Sequence, residues 1–283
     1  MTVRTVPYSD EILDEIRRGN SNVASALGAN IHLGYWNDEK NPDLSFEGFQ
    51  QASERLNTEV FRHIDLSQPC RILDVGCGYG GTISDLNRRG NNLQLVGLNV
   101  DPNQIARACT EVKPLARNSN TMEFLVGDAC ELQFSSNSFD YVLAIECIGC
   151  FPSRKRFFKQ AYRVLKPEGK LIFTDLFFAG DLNSAAGLLA LSYKHWFAFR
   201  QNRGRTTLPF TEARALRLLK GLGFSGLSTR DINRKTLPTY EFVRRLSHDS
   251  NGGLEALDRG CRLLELARER NYVIAKIIEA RKI

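Results

Sequence analysis

The chain has 283 residues, 42% of them hydrophobic, and a formal net charge of +6, which is enough for one α/β domain with additions around a large core. No stretch near eighteen consecutive apolar residues occurs, and the N-terminus, MTVRTVPYSDEILDEIRRGN, carries acids where a signal peptide needs an apolar core, so a cytoplasmic protein with no membrane span is expected. Seven cysteines is an odd number, scattered through apolar runs, which argues against a disulfide framework and for reduced thiols.

In chain order, Ser9 to Arg18 reads as a helix with Ser9 or Asp10 as its cap and Gly19-Asn20 as its stop. The dense aromatic stretch Asn30-Ile31-His32-Leu33-Gly34-Tyr35-Trp36 is too short for a core helix; it is either a loop plugging an apolar gap or a lid over a ligand. Phe46 to Ile64 has helical spacing. Arg71 to Gly81, RILDVGCGYGG, followed by the amphipathic Thr82 to Arg89, reads as strand, tight turn and helix. Glycines there admit positive φ and close approach of a ligand to the main chain, and the first helical turn offers unpaired N–H groups. Gly76, Gly78 and Gly81 also satisfy the loose dinucleotide pattern. Asp74, just before them, suits a cationic amino group and would repel a pyrophosphate.

The next strand, Leu93 to Val100, ends at Asn99 where an NAD-binding chain needs an acid. Met122 to Val126 leads into Gly127-Asp128-Ala129, and Phe139 to Ile145 ends in Glu146. In open α/β sheets the site lies beyond the carboxyl ends of the strands, so Asp74, Asn99, Asp128 and Glu146 are expected on one rim. Lys155 to Leu165 is a helix, Lys166 to Gly169 a turn, and Lys170 to Asp175 a fifth strand. Phe177 to Phe199 is apolar and aromatic with small residues interspersed; Leu188, Leu191, Tyr193, Trp196, Phe197 and Phe199 either line an apolar pocket or pack a helix on the sheet. Helices at Thr236 to Leu246 and Leu254 to Arg270 and strands at Leu227 to Ile232 and Tyr272 to Ala280 complete the pattern.

At DVGCGYGG combined with RVLKPEGKL the sequence resembles the class I S-adenosylmethionine (SAM) methyltransferases, over nearly the whole chain. The resemblance implies a Rossmann-like, seven-stranded, mostly parallel sheet with helices on both faces, a reversed hairpin at its end and an inserted helical cap. It divides the chain into an N-terminal lid segment (1–68), a SAM-binding core (69–176), a substrate cap (177–212) and a C-terminal completion of the core (213–283). It casts Asp74 as the partner of the methionine amino group, Gly76, Gly78 and Gly80 as the backbone cradle, and Asp128-Ala129 as the adenine contact. HLGYW is similar to a segment of the small-molecule branch that includes tocopherol and sterol C-methyltransferases and cyclopropane synthases, where it closes over SAM; this implies a cofactor role for Tyr35 and Trp36. Asn99 followed five residues later by Gln104 fits the same branch, as ribose contacts.

Cys150 departs from that branch, which carries His at this place, and a thiol is a poorer base than imidazole near neutrality. The candidates for proton acceptor are Glu146, His195 and Cys150, in that order. Cys147 and Cys150 form a C-x-x-C without a second pair, read as two thiols beside the cofactor, and no metal is expected. Residues 1–150 carry 12 basic against 20 acidic side chains and residues 151–283 carry 26 against 12. The basic half, with Arg200, Arg203 and Arg205 clustered, leaves room for an anionic group on the acceptor. The expected activity is methyl transfer to oxygen or carbon of a small, largely apolar natural-product or isoprenoid-type acceptor. The alternatives are cyclisation or rearrangement without methyl transfer, and RNA or protein methylation, which lacks the support of any basic-aromatic repeat. The sequence does not fix the oligomeric state.

Overall fold

The computed structural model describes residues 7–179, 210–250 and 253–283. The strands are β1 (Arg71–Val75), β2 (Gln94–Asn99), β3 (Thr121–Val126), β4 (Phe139–Ala144), β5 (Leu165–Phe178), β6 (Phe224–Asp231) and β7 (Val273–Lys282). The helices are α1 (Pro7–Arg17), α2 (Ser21–Leu27), α3 (Phe46–Phe61), α4 (Gly81–Arg89), α5 (Pro102–Glu111), α6 (Arg154–Val164), α7 (Glu212–Gly221), α8 (Pro238–Asp249) and α9 (Glu255–Glu269). Among the described residues the strands join one sheet in the order β3-β2-β1-β4-β5-β7-β6. All pairings are parallel except those of β7, which runs antiparallel to both neighbours.

The order reverses between β1 and β4: the chain winds outward from β1 through β2 to β3, then returns to β4 on β1's other side. A crevice opens at such a point beyond the carboxyl ends of the strands. Alternation of side chains along β1 feeds two layers: Ile72 joins the cluster formed with α1, α3, α4 and α8, while Leu73 and Val75 join the one formed with α6 and α7. Both faces are therefore covered, and strand interiors such as Val142-Leu143-Ala144 are fully buried, as a parallel sheet requires.

Local signals fix the helix starts. Ser45 accepts from Gly48 N–H at 3.0 Å, Asp101 from Asn103 N–H at 2.8 Å with Pro102 behind it, and Ser153 from Arg156 N–H at 3.2 Å, each worth about 1 kcal/mol. Ser9 differs from the expected cap: α1 begins at Pro7, and the Ser9 hydroxyl accepts from Gln104 instead. The expected turn at Lys166 to Gly169 is a bulge inside a longer β5. Leu165 already pairs with Phe139, the register shifts, and Glu168 takes φ 65°. The short α2 and the helical turn Asn233–Thr236 had no periodic signal of their own. The boundary placed at 177 falls within β5, and His195, the apolar cap residues from Leu188 to Phe199, and Arg200, Arg203 and Arg205 lie outside the described residues. Among the described residues no helix is long and apolar enough to cross a membrane.

Candidate active site

The ends of β1, β2, β3 and β4 lie side by side, so Asp74, Asn99, Asp128 and Glu146 share the carboxyl edge of the sheet. Asp74 is 2% exposed and its Oδ2 has no hydrogen-bond partner. Burial raises its pKa to about 7. A buried carboxylate oxygen without a donor is costly, and an ammonium group is the partner that would satisfy it. After Asp74 the chain turns sharply: Gly76 and Cys77 N–H both donate to Leu98 O, at 2.7 and 3.1 Å, and Gly80 N–H to Cys77 O at 2.9 Å. Gly76 takes φ +79°, and a Cβ there would stand 2.7 Å from Cys147 Cβ and Sγ. Gly80, at φ +85°, immediately precedes α4, so that helix's first N–H groups point back over the turn. Gly78 takes φ +55°, with Ile31 3.5 Å from where its Cβ would be.

Asn99 at the end of β2 donates Nδ2–H to Gln104 Oε1 at 2.8 Å and accepts from Asp101 N–H at 3.2 Å. Gln104 is not a solvated first-turn residue: it is 4% exposed and bonds Ser9 and Asp101. Asp128 accepts from Cys130 N–H at 2.8 Å, and Ala129 is buried beside it. Val100 and Val126, at the ends of adjacent strands, are 36% and 53% exposed. Sequence alternation alone did not single out these exposed valines at the carboxyl edge.

Glu146 stands past the end of β4 with φ 55°, a left-handed conformation that a non-glycine residue holds only when its surroundings enforce it. The Thr174 hydroxyl from β5 is one such restraint, accepting from Glu146 N–H at 2.8 Å. Cys150 lies in the 3-10 turn Ile148–Cys150, half-buried, its N–H donating to Cys147 O at 2.9 Å. The Cys147 thiol donates to Val75 O at 3.0 Å, and burial, ahead of the nearby Asp74, pushes it well above the ordinary thiol range. It packs as a neutral group beneath the turn.

The aromatic segment is divided between two jobs. Trp36, for which the sequence left a gap-filling loop and a lid over the cofactor both open, packs in the core: 2% exposed, with its ring 6.4 Å from that of Phe49 and its indole N–H on Thr239 Oγ1 at 3.0 Å. A large ring with one polar atom settles where that atom finds a buried acceptor, and Thr239 of α8 supplies it. Tyr35 is half-buried and tied to α3 through its main chain, donating to Ala52 O at 2.7 Å and accepting from Arg55 Nε at 3.0 Å. The residues that reach the glycine turn are Asn30 and Ile31. Asn30 Oδ1 and Ala29 O fill the space a Cβ would need at Gly81, and Ile31 covers Gly78.

Residues 73–173 match the family described as a methyltransferase domain. Methyltransferase GfsG of Streptomyces halstedii is 27% identical over 82% of this chain and 79% of its own length. The 27-O-demethylrifamycin SV methyltransferase of Amycolatopsis mediterranei is 32% identical over 62% of each chain. The chain is a SAM-dependent methyltransferase. Among solved structures, that of the [4+2]-cyclase SpnF shares the methyltransferase's fold, with a TM-score of 0.73 over 98% of this chain and 97% of that one at 23% identity. The enzyme's cofactor is SAM, and the turn fits it: a buried unpaired carboxylate oxygen for its ammonium group, glycines where a Cβ would obstruct, and an amide at the second strand end.

Proposed function

We propose that the methyltransferase acts on oxygen or carbon of a small, largely apolar natural-product acceptor, some of which carry an anionic group. The observation that carries this reading is the 32% identity to an enzyme named for a demethylated rifamycin, in a chain with a seven-stranded core and no described module for a polymer. The basic residues 200, 203 and 205 support the anionic variant only as sequence. A cytoplasmic setting is part of the proposal, supported by seven free cysteines.

Bound SAM supplies an electrophilic methyl group on a sulfonium. In the proposed arrangement Asp74 accepts from the cofactor's ammonium, the turn from Gly76 to Gly80 lets its methionine part lie against main chain, Asn99 meets the ribose, and Asp128 with Ala129 meets the adenine. Gln104 acts on Asn99 rather than on the ribose itself, and Trp36 drops out of the contact set. Because the sulfonium charge disappears in the displacement, the chain's tasks are alignment, exclusion of water and removal of one proton. Glu146 is the proposed proton acceptor: it follows β4, the strand beside Asp74's, and its left-handed backbone is restrained by the bond from its N–H to Thr174. His195 and Cys150 remain sequence-based candidates, a thiol being the poorer acceptor because at its ordinary pKa it is largely protonated near neutrality.

Incubation of the enzyme with methyl-labelled SAM and an extract of its source cells tests the reading, with the label partitioned between organic, aqueous small-molecule and acid-precipitable fractions. Label in the organic phase supports it. Label in precipitable RNA or protein overturns it, and a SAM-dependent change of an apolar compound without label transfer favours the cyclisation alternative.

A further inference from the structure

Ser9 of α1 is 1% exposed and is held twice by the cofactor edge. Its hydroxyl accepts from Gln104 Nε2 at 2.7 Å, and its carbonyl accepts from the Tyr79 hydroxyl at 3.4 Å. Tyr79 belongs to the glycine turn and is itself 1% exposed; burial pushes its phenol up to about 12, so it stays a neutral donor. One residue of the N-terminal helix thus touches both ends of the expected cofactor cradle.

The polarity of this contact is fixed. The Asp101 carboxylate accepts and cannot donate, and it lies 3.2 Å from Gln104 Nε2. The Gln104 amide group must therefore face Asp101 and Ser9, which turns Oε1 toward Asn99. Asn99 must then offer its Nδ2 to Gln104, leaving Oδ1 for Asp101 N–H. The ring Asp101–Gln104–Asn99–Asp101 is closed, and both Gln104 N–H groups are spent only when Ser9 is in place. It consumes one of Asn99's two N–H groups and one of its two lone pairs. One donor and one acceptor remain on the half-buried Asn99, the complement of two vicinal hydroxyls.

We propose that Ser9 and Gln104 are positioning residues of the cofactor site, holding the Asn99 amide in the one orientation that serves a ribose diol and thereby coupling the docking of α1 to cofactor binding. The inference rests on the proposed assignment of Asn99 to the ribose. Elsewhere α1 is anchored independently of the site, by Ile12 and Leu13 in the core and by Glu11 accepting from Leu257 N–H at 3.1 Å. Loss of Ser9's hydroxyl therefore leaves the helix in place and loosens only its grip on the edge. Coupling is reciprocal: what α1 adds to cofactor affinity, the cofactor adds to the docking of α1.

The experiment uses S-adenosylhomocysteine and its 2′,3′-dideoxy analogue as probes on the wild type, Ser9→Ala, Ser9→Thr and Gln104→Met, with calorimetric affinities and amide exchange across α1. In the wild type the diol form binds tighter and slows exchange in α1. Ser9→Ala weakens the diol form roughly fivefold to tenfold, the size of one buried hydrogen bond, leaves the dideoxy form nearly unchanged, and abolishes the slowing; Ser9→Thr restores all three. Equal weakening of both ligands, or an α1 indifferent to the ligand, overturns the proposal and leaves Ser9 a packing residue. A wild type that binds the two ligands equally removes the ribose assignment of Asn99 instead, and the proposal with it.

Discussion

The Arg154 guanidinium and the Asp175 carboxylate meet at 2.9 Å with side chains only 3% and 7% exposed, joining the first turn of α6 to β5 just below the strand's end. Asp175 also accepts from Leu176 N–H at 2.9 Å, and Arg154 lies 4.5 Å over the Phe210 ring. Breaking such a pair strands a buried charge at a cost of about 3–5 kcal/mol, whereas an apolar pair of similar volume is often neutral. Asp175→Asn should lower unfolding free energy by about that amount in urea titrations, and Arg154→Met with Asp175→Leu should recover most of it.

Asp74 makes the protein's stability depend on pH. An unfolded chain ionises this group near 3.9, while burial holds it at about 7 in the fold. Between those values the folded, ligand-free protein binds a proton that the unfolded chain has released, so stability falls as pH rises from about 4 to about 7 and levels above. Asp74→Asn removes that slope and is the more stable protein at pH 8, as thermal melts across the range would record. The same variant binds S-adenosylhomocysteine roughly a hundredfold more weakly, having lost a charge-assisted bond. Wild-type affinity for that ligand falls as pH drops below about 7, since the carboxyl must ionise to hold an ammonium.

Thr239 separates core from lid. Its hydroxyl accepts from Gly34 N–H at 2.9 Å and from the Trp36 indole at 3.0 Å. Thr239→Val leaves two buried donors unmet and should destabilise by about 2–4 kcal/mol, with Thr239→Ser close to wild type. Affinity for S-adenosylhomocysteine stays within about twofold in Thr239→Val. A loss comparable to that of Asp74→Asn would return Trp36 to the cofactor site.

Gly76→Ala combines a positive φ with a Cβ lodged against Cys147, and overpacking of this kind costs about 1–3 kcal/mol beyond the backbone strain. Cys147→Ala gives no rescue because the clash involves Cys147 Cβ as well as the thiol, whereas Cys147→Gly restores part of the lost melting temperature.

The parallel core was legible because it is built from local signals: RILDV before a glycine turn, apolar runs ending in a polar residue, and a proline after the Asp101 cap. The four strand-end polar groups could be placed on one edge for the same reason, since topology alone gathers them. Long-range satisfaction was not legible. Nothing near Trp36 says that its indole will find Thr239 two hundred residues on, and nothing near Ser9 distinguishes a helix cap from an acceptor for Gln104. The bulge at Glu168 hid because a Lys-Pro-Glu-Gly run carries the composition of a turn, and only pairing with β4 decides otherwise. Tyr79 lies inside the most informative motif, and its place in the core is set by long-range packing that the glycine pattern does not encode.

β7 runs between β5 and β6 and, among the described residues, is β6's sole neighbour in the sheet. On a ribosome, the parallel strands can associate while residues 212–272 have no sheet position to occupy: β6 cannot add directly to β5 and must wait for residues 273–282 to emerge and slide into the gap. Until then the edge of β5 from Leu171 to Phe177 is unpaired, and unpaired strand edges recruit other chains. The late, non-local closure of one antiparallel strand therefore sets the interval during which the nascent protein is most exposed to aggregation, and slow or stalled synthesis across residues 212–272 would lengthen it.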